Sequence, residues 1–276
     1  MSSNRYLPGP FAWHSRAALG KRTRRRLGLR RPSAWARAQT TGYHPAMPET
    51  AVLHLTPQDL PRAAELCARA FARAPHVHHF FPDETGRHRD ALELFRMRIH
   101  YGRLFGEVHV ASPDLKGVAV WLPSARASMT LWREIRAGGI RLYRRVGSDA
   151  VARMSRVSAH NEQLREEHAP APFWFLSIVA VDPECQGRGC ATALLRPMLD
   201  RLDREGVGCY CEATEEALLG FYGRLGFAAA APSTVPGTSL SVWPLVRRAA
   251  DELARLAGPK PGLEATQHRA DPHNVG

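Results

Sequence analysis

The chain has 276 residues, 44% of them hydrophobic and 23% charged, which suits a soluble protein of one large domain or two small ones. No run reaches the roughly 18 to 20 apolar residues that a bilayer-crossing helix needs. The five cysteines, Cys67, Cys185, Cys190, Cys209 and Cys211, form no CxxC pair, so a zinc-type framework is excluded and reduced thiols in the cytoplasm are expected.

The net charge of +12 belongs to one end of the chain. Residues 1–46 hold ten basic residues and no acidic one, leaving 28 basic against 26 acidic residues elsewhere. A domain that tracks phosphates carries its charge on a folded face; here the charge sits on an Arg-, Ala-, Ser- and Pro-rich end without apolar periodicity, which reads as disordered. A transit peptide, a twin-arginine signal lacking its apolar region, a tether and an extension upstream of a start at Met47 all remain open for it. The division expected is a basic extension over 1–47, a catalytic domain over 48–248, and a tail over 249–276 that is partly helical and then disordered.

Within the domain, Ala51–Leu55 reads as a strand, followed by an N-cap at Thr56 with Pro57 at the first helical position. Helical spacing of Leu60, Ala63, Ala64, Cys67, Ala70 and Phe71 predicts a helix to about Arg73. A second helix is expected over Gly86–Leu104. Glu107–Ala111 and Gly117–Leu122, separated by Ser112-Pro113-Asp114, read as a hairpin. Residues 125–168 read as helical, broken at Gly138-Gly139, with a final helix over Ser148–Glu167. Phe173–Val181 is a buried strand by length and composition, and a helix follows over Gly189–Glu205. Val207–Ala213 reads as a strand and Glu215–Leu225 as a short helix stopped by Gly226. Phe227–Ala231 and Ser239–Leu245 read as closing strands.

The segment Gln186-Gly187-Arg188-Gly189-Cys190-Ala191 lies between a buried strand and a long helix. A helix start leaves backbone N–H groups unpaired and carries a partial positive charge. Glycine lets the backbone approach an anion closely, so the segment suits a phosphate or pyrophosphate, with Arg188 able to add a charge-assisted contact. A dinucleotide-binding loop fits poorly: Gly187 and Gly189 match its first two glycines, but Thr192 stands at the third. The Gly-Lys-Ser/Thr of a nucleoside-triphosphate loop is absent.

With the strand and loop of Phe173–Gly189, and with Leu219-Gly220-Phe221-Tyr222-Gly223-Arg224-Leu225-Gly226-Phe227 following, the chain resembles the Gcn5-related N-acetyltransferases (GNAT) over about residues 50–247. Val118–Trp121 and Trp174–Leu176 are similar to the puromycin-acetyltransferase branch. The resemblance implies an α/β (α+β) fold: a mixed, mostly antiparallel sheet of six to seven strands, splayed at the acetyl-CoA site and flanked by helices. It implies that acetyl-CoA is the co-substrate, its pyrophosphate held by Gln186, Gly187, Arg188, Gly189, Cys190 and Ala191. Its pantetheine would pair with the strand edge at Val179, Ala180 and Val181. Tyr222 would protonate the departing thiolate. The chain departs from the family pattern at Glu215 and Leu218, where many relatives carry an asparagine.

The chemistry asks for such groups independently. An amine attacking a thioester forms a tetrahedral oxyanion that needs an N–H donor, and the thiolate leaves more easily with a positioned acid. Glu212, at the end of its strand, is the candidate base for the amine. His78 and His79 are candidates to line the acceptor pocket, and Trp121 and Trp174 to shape it. The acceptor expected is a primary amine on a small molecule, with no metal, membrane or nucleic acid involved and the oligomeric state open. A protein N-terminus or lysine is the alternative acceptor; a non-catalytic acyl-CoA sensor or a regulator tethered to nucleic acid by its basic end is the alternative from another class.

Overall fold

The computed structural model describes residues 51–249 apart from position 113. The extension over 1–47 and nearly all of the tail over 249–276 lie outside the described residues. Among the described residues no helix is long and apolar enough to cross a membrane.

The chain opens with β1 (Val52–His54) and α1 (Leu60–Ala70), joined by a short 3-10 turn at Pro57–Asp59. Helix α1 buries Leu60, Ala63, Ala64 and Cys67 at the expected spacing. It stops at Ala70 instead of Arg73, because Phe71 already leaves helical geometry and Pro75 begins the next helix. That helix, α2 (Pro75–Phe80), was not anticipated. Helix α3 (Glu84–Phe105) starts where Asp83 accepts hydrogen bonds from the amides of Thr85 (3.1 Å) and Gly86 (3.2 Å), an N-cap in the usual sense.

The predicted hairpin forms as β2 (Glu107–Ala111) and β3 (Gly117–Pro123). Three helices follow, α4 (Ser124–Ala127), α5 (Leu131–Ala137) and α6 (Gly139–His168). Gly138, at φ +102°, ends α5, and α6 is kinked at Gly147 (φ +77°). The second half of α6 is thus the helix expected from Ser148. Next come β4 (Phe173–Val181), α7 (Cys190–Glu205), β5 (Gly208–Ala213), α8 (Leu219–Arg224), β6 (Ala228–Ala229), β7 (Ser233–Thr234) and β8 (Ser241–Arg247).

The strands lie in the order β1-β2-β3-β4-β5-β8-β6, with β7 also paired to β8. The last edge, expected as one strand over Phe227–Ala231, is two short pieces on β8: Ala228–Ala229 pair near its end and Ser233–Thr234 near its start. Every pairing is antiparallel except β4 with β5. The result is the mixed, mostly antiparallel, helix-flanked sheet that the resemblance implied.

Two cores sandwich this sheet. One face carries Val118, Val120, Phe175, Ile178 and Tyr210 against α1, α3 and α6. The other carries Ala119, Trp121, Leu176, Cys209 and Cys211 against Leu194, Leu195, Met198 and Leu199 of α7. Alternation along each strand sends successive side chains to opposite faces, and an apolar run such as β4 follows from burial on both.

Candidate active site

Strand β4 keeps two neighbours for only half its length. On one side it pairs with β3 from Trp174 to Val181, with a bulge: Val120 faces Ile178 and Trp121 faces Leu176, so Ser177 has no partner opposite it. On the other side the parallel pairing with β5 runs from Phe173 opposite Gly208 to Leu176 opposite Cys211 and stops there. Strand β5 continues through Glu212 and Ala213, still paired to β8. The two central strands therefore part at Ser177. A bulge adds local twist and re-aims the residues beyond it. Here it re-phases β4: Phe175 before it and Ile178 after it both face the α3 side. Beyond the bulge, the backbone groups of β4 that point away from β3 have no strand partner among the described residues.

The gap between these strands opens into a cleft of about 1610 Å³. Residues 176–181 of β4, residues 185–192 of the loop and start of α7, Glu212–Glu215 and Tyr222 all line it. Val179, Ala180, Val181, Gln186, Gly187, Arg188, Gly189, Cys190, Ala191, Glu212 and Tyr222, the candidates from the sequence, all line it.

The loop has the conformation that its glycines allow. Gly187 (φ +73°) and Gly189 (φ +84°) adopt left-handed geometry, which costs other residues about 1 to 2 kcal/mol. A Cβ on either would meet no atom within 4 Å, so open space lies over the backbone. No side chain caps α7. Among the described residues, the amides of Gly187, Gly189, Ala191 and Thr192 reach no backbone acceptor, the first bond of the helix running from Ala193 N to Gly189 O (3.0 Å). Asp182 anchors the strand side of the loop: it accepts from Glu184 N (3.0 Å) and from Arg69 (2.9 Å). Those bonds hold its carboxyl below the usual range, the Glu184 amide most strongly. The side chain of Gln186 turns back to Val181 O (3.3 Å). The thiol of Cys190 is pushed up by burial and by Cys185. A helix N-terminus lowers a thiol pKa, and here burial outweighs it.

Glu212 faces the α6 side of the gap. Asn161 Nδ2 donates to its Oε2 at 2.9 Å and Arg165 Nη1 to its Oε1 at 3.4 Å; Arg165 is also paired to Glu162. Burial raises the carboxyl pKa of Glu212, against the opposing pull of Arg165, Arg98 and Asn161. Tyr222 projects from α8 on the other side of the gap, its ring edge-on to Phe221 and Phe227 (centroids 5.1 and 5.6 Å). Its phenol pKa is raised well above 10, by burial first and by Cys211 and Cys209 next. It is therefore held as a neutral O–H donor.

Other candidates fall elsewhere. His78 is exposed on α2, its Nε2 at 2.9 Å from Ala72 O, and neither it nor His79 lines the cleft. The histidine of this stretch that does is His76, near the start of α2. Burial, with Arg98 adding to it, lowers its pKa to about 4, and its Nδ1 lies 3.4 Å from Thr214 Oγ1. Trp121 is wholly buried in the α7-side core, and Trp174 packs beneath the Arg201 guanidinium (5.1 Å); neither lines the cleft. Composition showed none of His76, Arg98, Asn161, Arg165 and Thr214. Only the i, i+4 spacing of Asn161 and Arg165 on a predicted helix was a usable signal. A His54–Glu107–His109 group with metal-like proximity lies on β1 and β2, away from the cleft. Arg201 engages both oxygens of Glu107 there (3.1 and 2.9 Å).

The family model described as the acetyltransferase (GNAT) family matches residues 124–227. That span runs from α4 to the Gly226-Phe227 turn and includes the loop, the parted strands and Tyr222. Over that span the chain is similar to the GNAT family, and its fold is the GNAT fold. Two solved structures share the GNAT fold with it. One, from Corynebacterium glutamicum, is described as histone acetyltransferase HPA2 and related acetyltransferase. It has a TM-score of 0.54 and 23% identity, over 73% of this chain and 97% of that one. The other is the C-terminal condensation domain of Ebony in complex with β-alanyl-dopamine, with a TM-score of 0.53 and 8% identity, over 73% of this chain and 100% of that one. At these identities the likeness is one of fold.

Proposed function

We propose that the protein transfers an acetyl group from acetyl-CoA to a primary amine of a small molecule by direct attack of the amine on the thioester. The observation that carries this reading is the parting of β4 from β5 beside the unpaired amides that open α7, in one cleft with Tyr222 and Glu212. The residues present fit acetyl-CoA. The amides of Gly187, Gly189, Ala191 and Thr192 suit its pyrophosphate, Arg188 adds charge at the exposed rim, and the free edge of β4 at Val179–Val181 suits the amide-bearing pantetheine arm. Acetyl-CoA supplies an activated acyl group.

The protein's own groups have separable tasks. Glu212 takes the proton that the attacking amine must lose; its raised pKa makes it a stronger base than an exposed carboxylate. A backbone N–H of the parted β4 edge serves, in this reading, as the donor that stabilises the oxyanion. Tyr222, kept neutral by burial, donates its phenolic proton toward the departing sulfur. The same burial makes complete transfer to sulfur harder, so the contribution of Tyr222 is mainly that of a hydrogen-bond donor.

Calorimetry with acetyl-CoA, followed by thiol release in the presence of amines, tests the reading. Micromolar binding and release that depends on both acetyl-CoA and an amine are expected. Absence of acetyl-CoA binding refutes the proposal; binding without release on any amine replaces it with an acyl-CoA sensor.

A further inference from the structure

The cleft holds an arginine with no partner of opposite charge among the described residues. Arg98, on α3, lines the cleft. Its one hydrogen bond among the described residues runs from Nη1 to the thioether sulfur of Met129 (3.4 Å), a weak acceptor. The buried Arg165 and the half-buried Arg201 and Arg247 each have a carboxylate: Arg165 pairs with Glu162 and Glu212, Arg201 with Glu107 at 2.9 Å, and Arg247 with Asp203 at 2.6 Å. No described carboxylate lies within ion-pair distance of Arg98.

An arginine cannot shed its charge, and burying that charge without a counter-ion is costly. The carboxylates nearest to it are already engaged. Glu212 is held by Asn161 and Arg165. Glu134, fully buried on α5, accepts from Tyr143 and does not line the cleft. His76 and Arg165, which also face this region, supply no negative charge. Around the same end of the cleft stand Phe80, Leu94, Phe95, Met154 and Val157, an apolar wall.

Resting on the acetyl-transfer reading, we propose that Arg98 is the subsite for a carboxylate on the acceptor, so that the acceptor is an amino-carboxylic acid with an apolar side chain. The amine of such a molecule would be drawn to Glu212 and its carboxylate to the guanidinium fork, which matches carboxylate geometry in a two-point contact. One unpaired guanidinium balances one negative charge, which favours a carboxylate over a phosphate dianion. The same subsite disfavours an N-terminal peptide acceptor, whose first residue has lost its carboxylate to the peptide bond.

The test compares matched probes by calorimetry in the presence of CoA. L-phenylalanine is set against L-phenylalaninamide and phenethylamine, L-leucine against L-leucinamide and isopentylamine, and O-phosphoethanolamine against ethanolamine. A hydrogen-bonded ion pair of this kind predicts that each amino acid binds about 10- to 100-fold tighter than its amide or decarboxylated amine. In Arg98→Met that ratio falls to about 2 or less, whereas Arg98→Lys, which keeps the charge without the fork, retains part of it. Unchanged acetyl-CoA affinity in both variants shows that the cleft is intact, and the wild-type ratio stands as a readout should either variant fail to fold. A wild-type ratio near one, no measurable binding of either amino acid, a preference confined to the phosphate pair, or a preference that survives in Arg98→Met overturns the assignment. Thiol release with the same probes separates the two readings. A carboxylate preference in binding without release from any amine supports the subsite and removes acetyl transfer.

Discussion

Replacing Glu212 with glutamine should lower turnover and leave the fold as stable as before, or more so. The side chain keeps its shape, and the amide oxygen still accepts from Asn161 (2.9 Å in the native protein) or Arg165 (3.4 Å). Exchanging charge-assisted bonds for neutral ones loses roughly 1 kcal/mol. Against that loss stands the desolvation of a buried carboxylate, the dominant influence on its pKa. The sign follows from linkage. A carboxyl whose pKa is raised on folding binds its proton more tightly in the native state, and this stabilises the fold at low pH. The contribution disappears as pH rises from the unfolded value near 4.5 through the folded value. Glutamine carries no such pH-dependent penalty, so the melting temperature of Glu212→Gln relative to wild type should rise across that interval and match or exceed it at pH 7 to 8. Glu212→Ala differs: it strands Asn161 and Arg165 and should cost about 2 to 4 kcal/mol, or roughly 5 to 10 °C in a domain of this size. In both variants kcat/KM should fall by about 100-fold or more, and the ascending limb of the wild-type pH profile, which lies above the range of an exposed carboxylate, should vanish. Thiol release across pH 5 to 9 and thermal melts at the same pH values measure both quantities. Turnover within threefold of wild type, or a pH profile that keeps its limb in Glu212→Gln, refutes the assignment of Glu212 as base.

Three further outcomes are expected. Tyr222→Phe should reduce kcat by about 10- to 100-fold with acetyl-CoA affinity within threefold and the melting temperature little changed, because the phenol oxygen makes no hydrogen bond to another described residue; an undiminished kcat would remove Tyr222 from the chemistry. Gly189→Val should weaken acetyl-CoA binding measured by calorimetry, since a β-branched residue at φ +84° costs about 1 to 2 kcal/mol or more and turns the loop amides away; wild-type affinity would show that those amides do not hold the ligand. Gly106→Ala should destabilise by about 3 kcal/mol or abolish folding, because a Cβ there would lie 2.0 Å from Trp121 O and 2.9 Å from Leu122 Cδ2; a melt within 2 °C of wild type would contradict the packing of α3 on β3.

Local physics made much of the chain readable before its structure. Phe173–Val181 reads as a buried strand by its length, and glycines at 187 and 189 followed by a long amphipathic run read as a loop feeding a helix. Their order pointed to an anion site at 186–191. The kink at Gly147 and the broken last edge at 228–234 were harder, because both depend on where distant segments pack. Helix α2 was missed because Pro75–Phe80 is too short to show a period, and His78 and His79 were chosen over His76 for want of its direction.

The sequence by itself determined most of the long elements, the basic end, and the succession of a glycine loop and a tyrosine turn, since each is written in neighbouring residues. Tertiary structure decided where β4 leaves β5, because a bulge at Ser177 is a relation between two strands that neither encodes alone. It also decided that α6 brings Asn161 and Arg165 to Glu212, while α3 leaves Arg98 without a counter-charge among the described residues. Burial and charge balance are sums over residues far apart in the chain, and only the folded protein adds them up.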